Sequence, residues 1–331
     1  MVGAILNQIL KTLFGPHSGS GGTGAQTSAP GSLRGGEPVT LSAADGTTLC
    51  GELLLPPGPS GPPRIAVALS HAMMVDRRTL DQPAGQGLLS QLVAAGAAVL
   101  WFDQRGHGQS RPHPAEGATW DYDALVADAG LAAAYLAQRF PKLQRVAVGH
   151  SLFGHVALAW QAQHEATRVG VGYDRLVLLA ANVWLRELEP LAWRWRLKCV
   201  SFAAMQAASA PLGYLPVRRL RLGTADESHP YLAQMGSWQG SGDWCSRDGF
   251  SYLQALGRVR SQVLSVASDG DKLLAVPACQ LRLASRIQGP LTHITVGERF
   301  GYACAPDHMG LVLDRRLVPL WREIAAWATR P

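Results

Sequence analysis

The chain has 331 residues, which allows one large domain with an insertion or two small domains. Hydrophobic residues are 47% and charged residues only 16%, which excludes an acidic, disordered or coiled-coil protein. The formal net charge of +6 would permit nucleic-acid binding, but only four of the 30 basic residues are lysines and they form no basic helix or finger motif. We therefore expect no nucleic-acid partner, and no apolar run reaches the roughly 20 residues of a membrane-spanning helix.

The first residues of the chain carry an amphipathic pattern. Apolar residues recur at the i, i+3, i+4 and i+7 spacing, which predicts a helix over residues 1–14. We favour a helix that docks on the body of the protein, and the alternative is weak peripheral membrane contact through residues 2–14. Residues 15–36 are rich in Gly, Ser and Pro and predict a flexible linker. The folded body, residues 37–331, follows this linker.

Strand and helix signals alternate along this body. Val39–Leu41 and Thr48–Cys50 flank an Asp-Gly pair and predict a hairpin. Continuous apolar runs followed by helical patterns predict an α/β protein, with a mostly parallel sheet covered by helices on both faces. These runs are residues 65–69, 97–102, 145–149, 175–180, 263–267 and 293–296. The segment at about 186–257 interrupts the alternation with many aromatic residues and no strand pattern, and it predicts an inserted, mostly helical cap.

The segment Val146–Gly154 carries the strongest chemical signal in the sequence. A predicted strand runs through Gly149 and His150 directly into Ser151, and a predicted helix begins immediately afterwards. A tight strand-to-helix turn lifts the serine hydroxyl out of the sheet and aims the free N–H groups of the helix at a reacting carbonyl. The pattern therefore predicts a nucleophilic serine.

Three further segments stand at the ends of predicted strands. They are Ser70–Met73, Asp103–Ser110 and Asp307–Gly310. Together with the Ser151 turn, they resemble the α/β-hydrolase superfamily over residues 37–331. The resemblance implies the α/β-hydrolase fold and the order nucleophile, acid, histidine along the chain.

That resemblance implies a catalytic triad. Ser151 would be the nucleophile and His308 the base that takes its proton. The acid is expected after the strand at 263–267, where both Asp269 and Asp271 stand. The family pattern favours Asp271, with Asp269 as a solvated turn residue.

The resemblance also implies an oxyanion hole of backbone N–H groups, which need no reorganisation during the reaction. Leu152 would supply one N–H and Met73, preferred to Ala72, the other. The sequence departs from the family pattern at two places. Phe153 stands where a small residue is usual, and Ala72 replaces the glycine of the usual His-Gly pair. A shift of the strand-to-helix turn at Ser151 would lower the rate of the reaction, so a weakly active or non-catalytic protein stays an alternative.

Several neighbouring polar residues are expected to be structural. His150 and His155 flank the nucleophile and are interpreted as packing residues, and His107 as part of a turn. Asp103 is expected to be structural together with Arg105.

Other chemistries have no matching pattern. The sequence has no phosphate loop, no strand-linked dinucleotide fingerprint and no metal-ligand spacing, so no cofactor and no metal are implied. The five cysteines are widely and irregularly spaced, which indicates free thiols in a reducing compartment and predicts a cytoplasmic location, with membrane attachment as the variant.

The sequence therefore predicts a serine hydrolase that cleaves a small-molecule carboxylic ester or thioester, with an apolar acyl or aromatic group. An acyltransferase using the same triad and a non-catalytic ligand-binding or interaction protein are the alternatives. The tryptophans of the insertion and of the last helix, Trp238, Trp244 and Trp321, are further similar to those of predicted bacterial α/β hydrolases of unassigned substrate.

Overall fold

A computed structural model describes residues 35–58 and 61–330. The predicted helix at 1–14 and all but the last two residues of the predicted linker at 15–36 lie outside the described residues. Within the described part of the chain, no helix is long and apolar enough to cross a membrane.

Eight strands form one sheet. They are β1 Glu37–Ser42, β2 Thr48–Leu54, β3 Ile65–Ser70, β4 Ala97–Phe102, β5 Gln144–His150, β6 Arg175–Leu179, β9 Gln262–Ser268 and β10 Leu291–Val296, and a separate pair consists of β7 Tyr214–Leu215 and β8 Glu227–Ser228. The order across the large sheet is β1-β2-β4-β3-β5-β6-β9-β10. β1 and β2 form the predicted antiparallel hairpin, β2 is antiparallel to β4, and all other neighbours are parallel. The predicted mostly parallel sheet is confirmed.

The helices cover both faces of this sheet. They are α1 Leu88–Ala94, α2 Tyr122–Arg139, α3 Leu152–Thr167, α4 Ala192–Ser209, α5 His229–Ser241, α6 Tyr252–Ala255, α7 Pro277–Ala284, α8 Gly310–Leu313 and α9 Val318–Thr329. Every residue of β3 and β4 is buried. In β3, Ala66 and Ala68 pack on the face covered by α2 and α3, whereas Val67 and Leu69 pack on the face covered by α1 and α9. Burial on both faces explains why these strands are apolar throughout rather than alternating.

Between β6 and β9, residues 186–257 (the insertion) add no strand to the large sheet. The insertion contains α4, α5, α6 and the β7–β8 pair. It packs on α2 through aromatic side chains around Tyr122. The ring of Trp238 meets Tyr122 edge-on at 4.8 Å between centroids, and Trp244 and Tyr252 lie at 6.4 Å and 6.0 Å. These buried rings hold the insertion on the main body of the protein.

Candidate active site

Ser151 stands on a strained turn between β5 and α3. Its backbone has φ 51° and ψ −107°, a conformation that residues other than glycine rarely adopt. Its N–H donates to the carbonyl of Leu179 on β6 at 2.8 Å. A Cβ on Gly149 would lie 2.3 Å from the nitrogen of Gly154, so glycine at 149 allows the chain to reverse this sharply. The result is a half-exposed serine at the carboxyl end of a central strand.

Phe153, the departure from the family pattern, lies in the core. Its side chain is 1% exposed, and its ring meets Phe102 edge-on at 5.3 Å between centroids. The next residue, Gly154, is the one that packs closely here, because a Cβ added to it would lie 2.6 Å from the side chain of Ala181. The large side chain therefore contributes to packing and leaves the serine turn intact.

Replacing Phe153 with alanine should accordingly destabilise the protein rather than improve the site. We expect the free energy of unfolding to fall by about 3–5 kcal/mol, because the lost ring leaves a cavity beside Phe102. Urea unfolding measures this change. A variant of unchanged stability would show that the ring of Phe153 does not support the core.

His308 pairs with the buried carboxylate of Asp271 beside this turn. The Nδ1 of His308 donates to Oδ2 of Asp271 at 2.6 Å, and the Asp271 side chain is 2% exposed. Asp271 also accepts the N–H of Leu274 at 2.8 Å and of Ala275 at 2.9 Å. Burial alone raises the pKa of Asp271, but the charge of His308 and these hydrogen bonds outweigh it and hold the pKa below its usual value. The carboxylate is thus ionised and fixed in orientation.

Asp269, the other candidate acid, faces away from this pair. Its Oδ1 accepts from Arg299 at 2.9 Å and lies 3.9 Å from the Lys272 ammonium, and the side chain is about a quarter exposed. The structure brings Asp271, and not Asp269, to His308.

The loops after β9 and β10 are packed backbone to backbone. A Cβ on Gly270 would lie 2.3 Å from the carbonyl oxygens of both Ala305 and Pro306. The hydroxyl of Ser268 donates to the same Pro306 carbonyl. Glycine at 270 therefore lets the loop that carries His308 approach the loop that carries Asp271.

His150, interpreted from the sequence as a packing residue, also contacts the His308 segment. Its Nε2 donates to the carbonyl of His308 at 3.0 Å, and the two rings lie 5.1 Å apart. Burial, with the charge of His308 as the second cause, lowers the pKa of His150 to about 3, so the ring is neutral. The contact brings the backbone of His308 to the residue next to Ser151. The packing interpretation does fit His155, whose Nδ1 accepts from the Tyr122 hydroxyl at 2.8 Å.

The loop after β3 lies against the start of α3. The N–H of Phe153 donates to the carbonyl of His71 at 3.3 Å, which joins this loop to the serine turn. Within the part of the chain that the structure describes, the N–H groups of Met73 and Leu152 donate to no other residue. Two donors of the kind that the resemblance requires are therefore available on the two segments that meet beside Ser151.

His71 is held as a neutral ring with a defined tautomer. Its Nδ1 donates to the carbonyl of Ala72 at 2.7 Å, and its Nε2 accepts the N–H of Gln104 at 3.1 Å. Burial, followed by the positive charge of His107, lowers the pKa of His71 to about 3. The ring fastens the loop after β3 to the loop after β4.

Asp103 and Arg105, both expected to be structural, pair with other residues and not with each other. Asp103 accepts from Arg77 at 2.7 Å, whereas Arg105 donates to Asp128 at 2.6 Å and to Asp45 at 2.7 Å. Both acidic partners come from segments that only the folded chain brings near. Asp103 remains a structural residue, as expected.

One contact to this region comes from the insertion and has no sequence signal. Glu227 of β8 accepts the N–H of Met74 at 2.6 Å and lies 3.1 Å from Nε2 of His107.

No group of three or more His, Cys, Asp or Glu residues that could hold a metal ion occurs among residues 35–58 and 61–330.

Comparison with known proteins agrees with this architecture. Residues 63–247 match the model of the α/β-hydrolase family described as serine aminopeptidase, S33. An esterase from Exiguobacterium antarcticum is 16% identical, with a TM-score of 0.56 over 88% of this chain and 99% of that one. Est1E from Butyrivibrio proteoclasticus, solved with ferulic acid, is 16% identical, with a TM-score of 0.56 over 87% and 96%. A Pyrococcus furiosus esterase is 15% identical, with a TM-score of 0.51 over 89% and 88%. At these identities the likeness shows a shared fold.

Proposed function

Because the chain belongs to the α/β-hydrolase family described as serine aminopeptidase, S33, we propose that it is a serine hydrolase that cleaves carboxylic esters. The observation that carries this proposal is the serine on a strained turn, at the sheet edge where a histidine is held 2.6 Å from a buried carboxylate. Serine alone is a weak nucleophile and needs such a base.

The proposed reaction proceeds through an acyl-enzyme. Ser151 attacks the ester carbonyl while Nε2 of His308 takes the hydroxyl proton, and Asp271 stabilises the resulting imidazolium. The N–H groups of Met73 and Leu152 bind the oxyanion of the tetrahedral intermediate. His308 then protonates the leaving alcohol, and a water activated by the same histidine releases the acid and regenerates the serine.

The substrate is proposed to be a small ester with an apolar acyl or aromatic group. We assign the insertion the role of a cap over the site, because its residue Glu227 contacts the loop beside Ser151. Thioester hydrolysis and acyl transfer would use the same acyl-enzyme and differ only in the leaving group or in the attacking nucleophile. The name of the family favours amide substrates with a free amino end as the second candidate.

Labelling with a fluorophosphonate probe tests the proposal. The purified protein should react and Ser151→Ala should not, whereas Ser237→Ala, which alters a hydroxyl bonded within α5 in the insertion, should react at the wild-type rate. A chain-length series of p-nitrophenyl esters beside aminoacyl p-nitroanilides then separates esterase from aminopeptidase activity. A folded wild-type protein that does not react would favour the non-catalytic binding protein.

A further inference from the structure

A short segment of the insertion binds both backbone polar groups of one residue in the loop after β3. The carbonyl of Met74 accepts the N–H groups of Thr224 at 2.8 Å and Ala225 at 3.1 Å. The N–H of the same Met74 donates to Oε1 of Glu227 at 2.6 Å. A Cβ on Gly223 would lie 2.2 Å from the Met74 carbonyl oxygen, so the contact admits only glycine there without a shift. We name residues 223–227 the clamp segment.

Met74 is itself in a strained conformation. Its φ is 63°, in the left-handed region that non-glycine residues seldom occupy, and the residue is 2% exposed. Such a backbone is strained and persists only where its surroundings determine it. The three hydrogen bonds from the clamp segment are the contacts that fix this residue.

The carboxylate of Glu227 is also paired with His107. Nε2 of His107 lies 3.1 Å from Oε1 of Glu227, and its Nδ1 lies 2.7 Å from the carbonyl oxygen of Arg105. Both ring nitrogens thus face oxygen atoms, an arrangement that a doubly protonated ring beside a carboxylate satisfies. Burial opposes this charge, but the charge of Glu227 and its hydrogen bond raise the pKa of His107 above its usual value. The paired carboxylate is completely buried.

We propose that Glu227 is a positioning residue for the oxyanion hole, an inference that rests on the proposed function. Met73, whose N–H would bind the oxyanion, precedes Met74 directly. The N–H that Glu227 binds belongs to the peptide that follows Met73, so the clamp segment holds the residue whose own N–H would face the carbonyl attacked by Ser151. Donors of this kind act through fixed orientation, and removing one from an oxyanion hole costs about 10²–10³ in kcat.

By this geometry the insertion supports the loop that carries the Met73 N–H, in addition to covering the substrate. Glu227 and Met74 are 153 residues apart in the chain, so the contact exists only while the insertion is seated on the main body. Displacement of the insertion would release the strained loop and weaken transition-state binding. Turnover is thereby coupled to the seating of the insertion.

The test separates transition-state binding from substrate binding. Glu227→Ala should lower kcat for the best p-nitrophenyl ester about 10- to 100-fold, as expected for a misplaced donor, with KM changed less than about 3-fold. A trifluoromethyl ketone with the same acyl group forms a tetrahedral oxyanion on serine, so its Ki should rise by the factor that kcat/KM falls. Glu227→Gln keeps an oxygen that accepts the Met74 N–H and should recover activity to within about 5-fold of wild type.

Two further variants complete the experiment. Gly223→Ala displaces the clamp segment without removing any polar group. It should lower kcat and raise the Ki of the trifluoromethyl ketone by the same factor. It therefore replaces Glu227→Ala if that variant fails to fold. Ser237→Ala alters a hydroxyl outside the clamp segment, which donates to the carbonyl of Gln234 within α5, and should leave kcat within about 2-fold of wild type.

The outcomes distinguish the two proposals. A wild-type protein that is not labelled by the fluorophosphonate contradicts the proposed function. A labelled wild type whose Glu227→Ala and Gly223→Ala variants keep the wild-type kcat and Ki for the ketone overturns the positioning role alone. Variants in which only KM rises would assign Glu227 to the support of substrate binding and would equally overturn it.

Discussion

Replacing Ser151 with alanine should lower kcat for ester hydrolysis by about 10⁵- to 10⁶-fold, the size of the loss when a triad serine is removed from a related mechanism. The alanine retains the Cβ, and therefore the strain of the φ 51° backbone, but it has no oxygen to form the acyl-enzyme. Steady-state hydrolysis of p-nitrophenyl esters measures the loss. Activity within 10-fold of wild type would exclude Ser151 as the nucleophile.

A glycine at the same position separates catalysis from strain. Ser151→Gly should be as inactive as Ser151→Ala, but it relieves a backbone strain of about 1–3 kcal/mol at the cost of about 0.5–1 kcal/mol in unfolded-state entropy. We therefore expect the free energy of unfolding to rise by about 1 kcal/mol in Ser151→Gly and to stay nearly unchanged in Ser151→Ala. Equal stability of the two variants would mean that the turn is not strained.

Replacing Asp271 with asparagine should lower kcat by about 10⁴-fold, because the amide no longer fixes the tautomer of His308 or stabilises its positive charge. The carboxylate oxygens also accept the N–H groups of Leu274 and Ala275, so the amide nitrogen turns a donor toward a donor. We expect a loss of about 1–3 kcal/mol in the free energy of unfolding. Steady-state kinetics and urea unfolding measure the two effects.

Asp269→Asn is the matched control for this substitution. Asp269 stands two residues away, pairs with exposed Arg299 and should change kcat by less than about 3-fold when replaced. An equal loss of activity in both variants would contradict the assignment of the acid to Asp271.

The dependence of the unfolding free energy on pH at acidic values also tests the role of Asp271. Its pKa in the folded protein lies below the unfolded value, so its contribution to stability is present above the unfolded pKa and is lost as the pH falls through the folded one. The difference in unfolding free energy between wild type and Asp271→Asn should therefore shrink as the pH falls below about 4. A constant difference across this range would show that the carboxylate is not stabilised by its partners.

The order of secondary structure was predictable from the sequence because it depends on local patterns. Continuous apolar strands such as β3 and β4 can be buried only between two layers of helices, which makes the sheet parallel. The turn at Ser151 was equally visible, because a glycine two residues before it and a helical pattern after it are neighbours in the chain. Three of the four motifs begin where a strand ends and Asp307–Gly310 follows β10 after a loop, and parallel strands bring those ends to one edge of the sheet.

The pairings at that edge depended on tertiary structure. Arg77, and not the nearby Arg105, reaches Asp103, and the buried Glu227 enters from the insertion to hold Met74. A buried carboxylate takes whichever donor the packing presents to it, and that donor can be more than a hundred residues away. The sequence by itself therefore determined the fold and the turn at Ser151, while only the tertiary structure decided which charged groups meet around it.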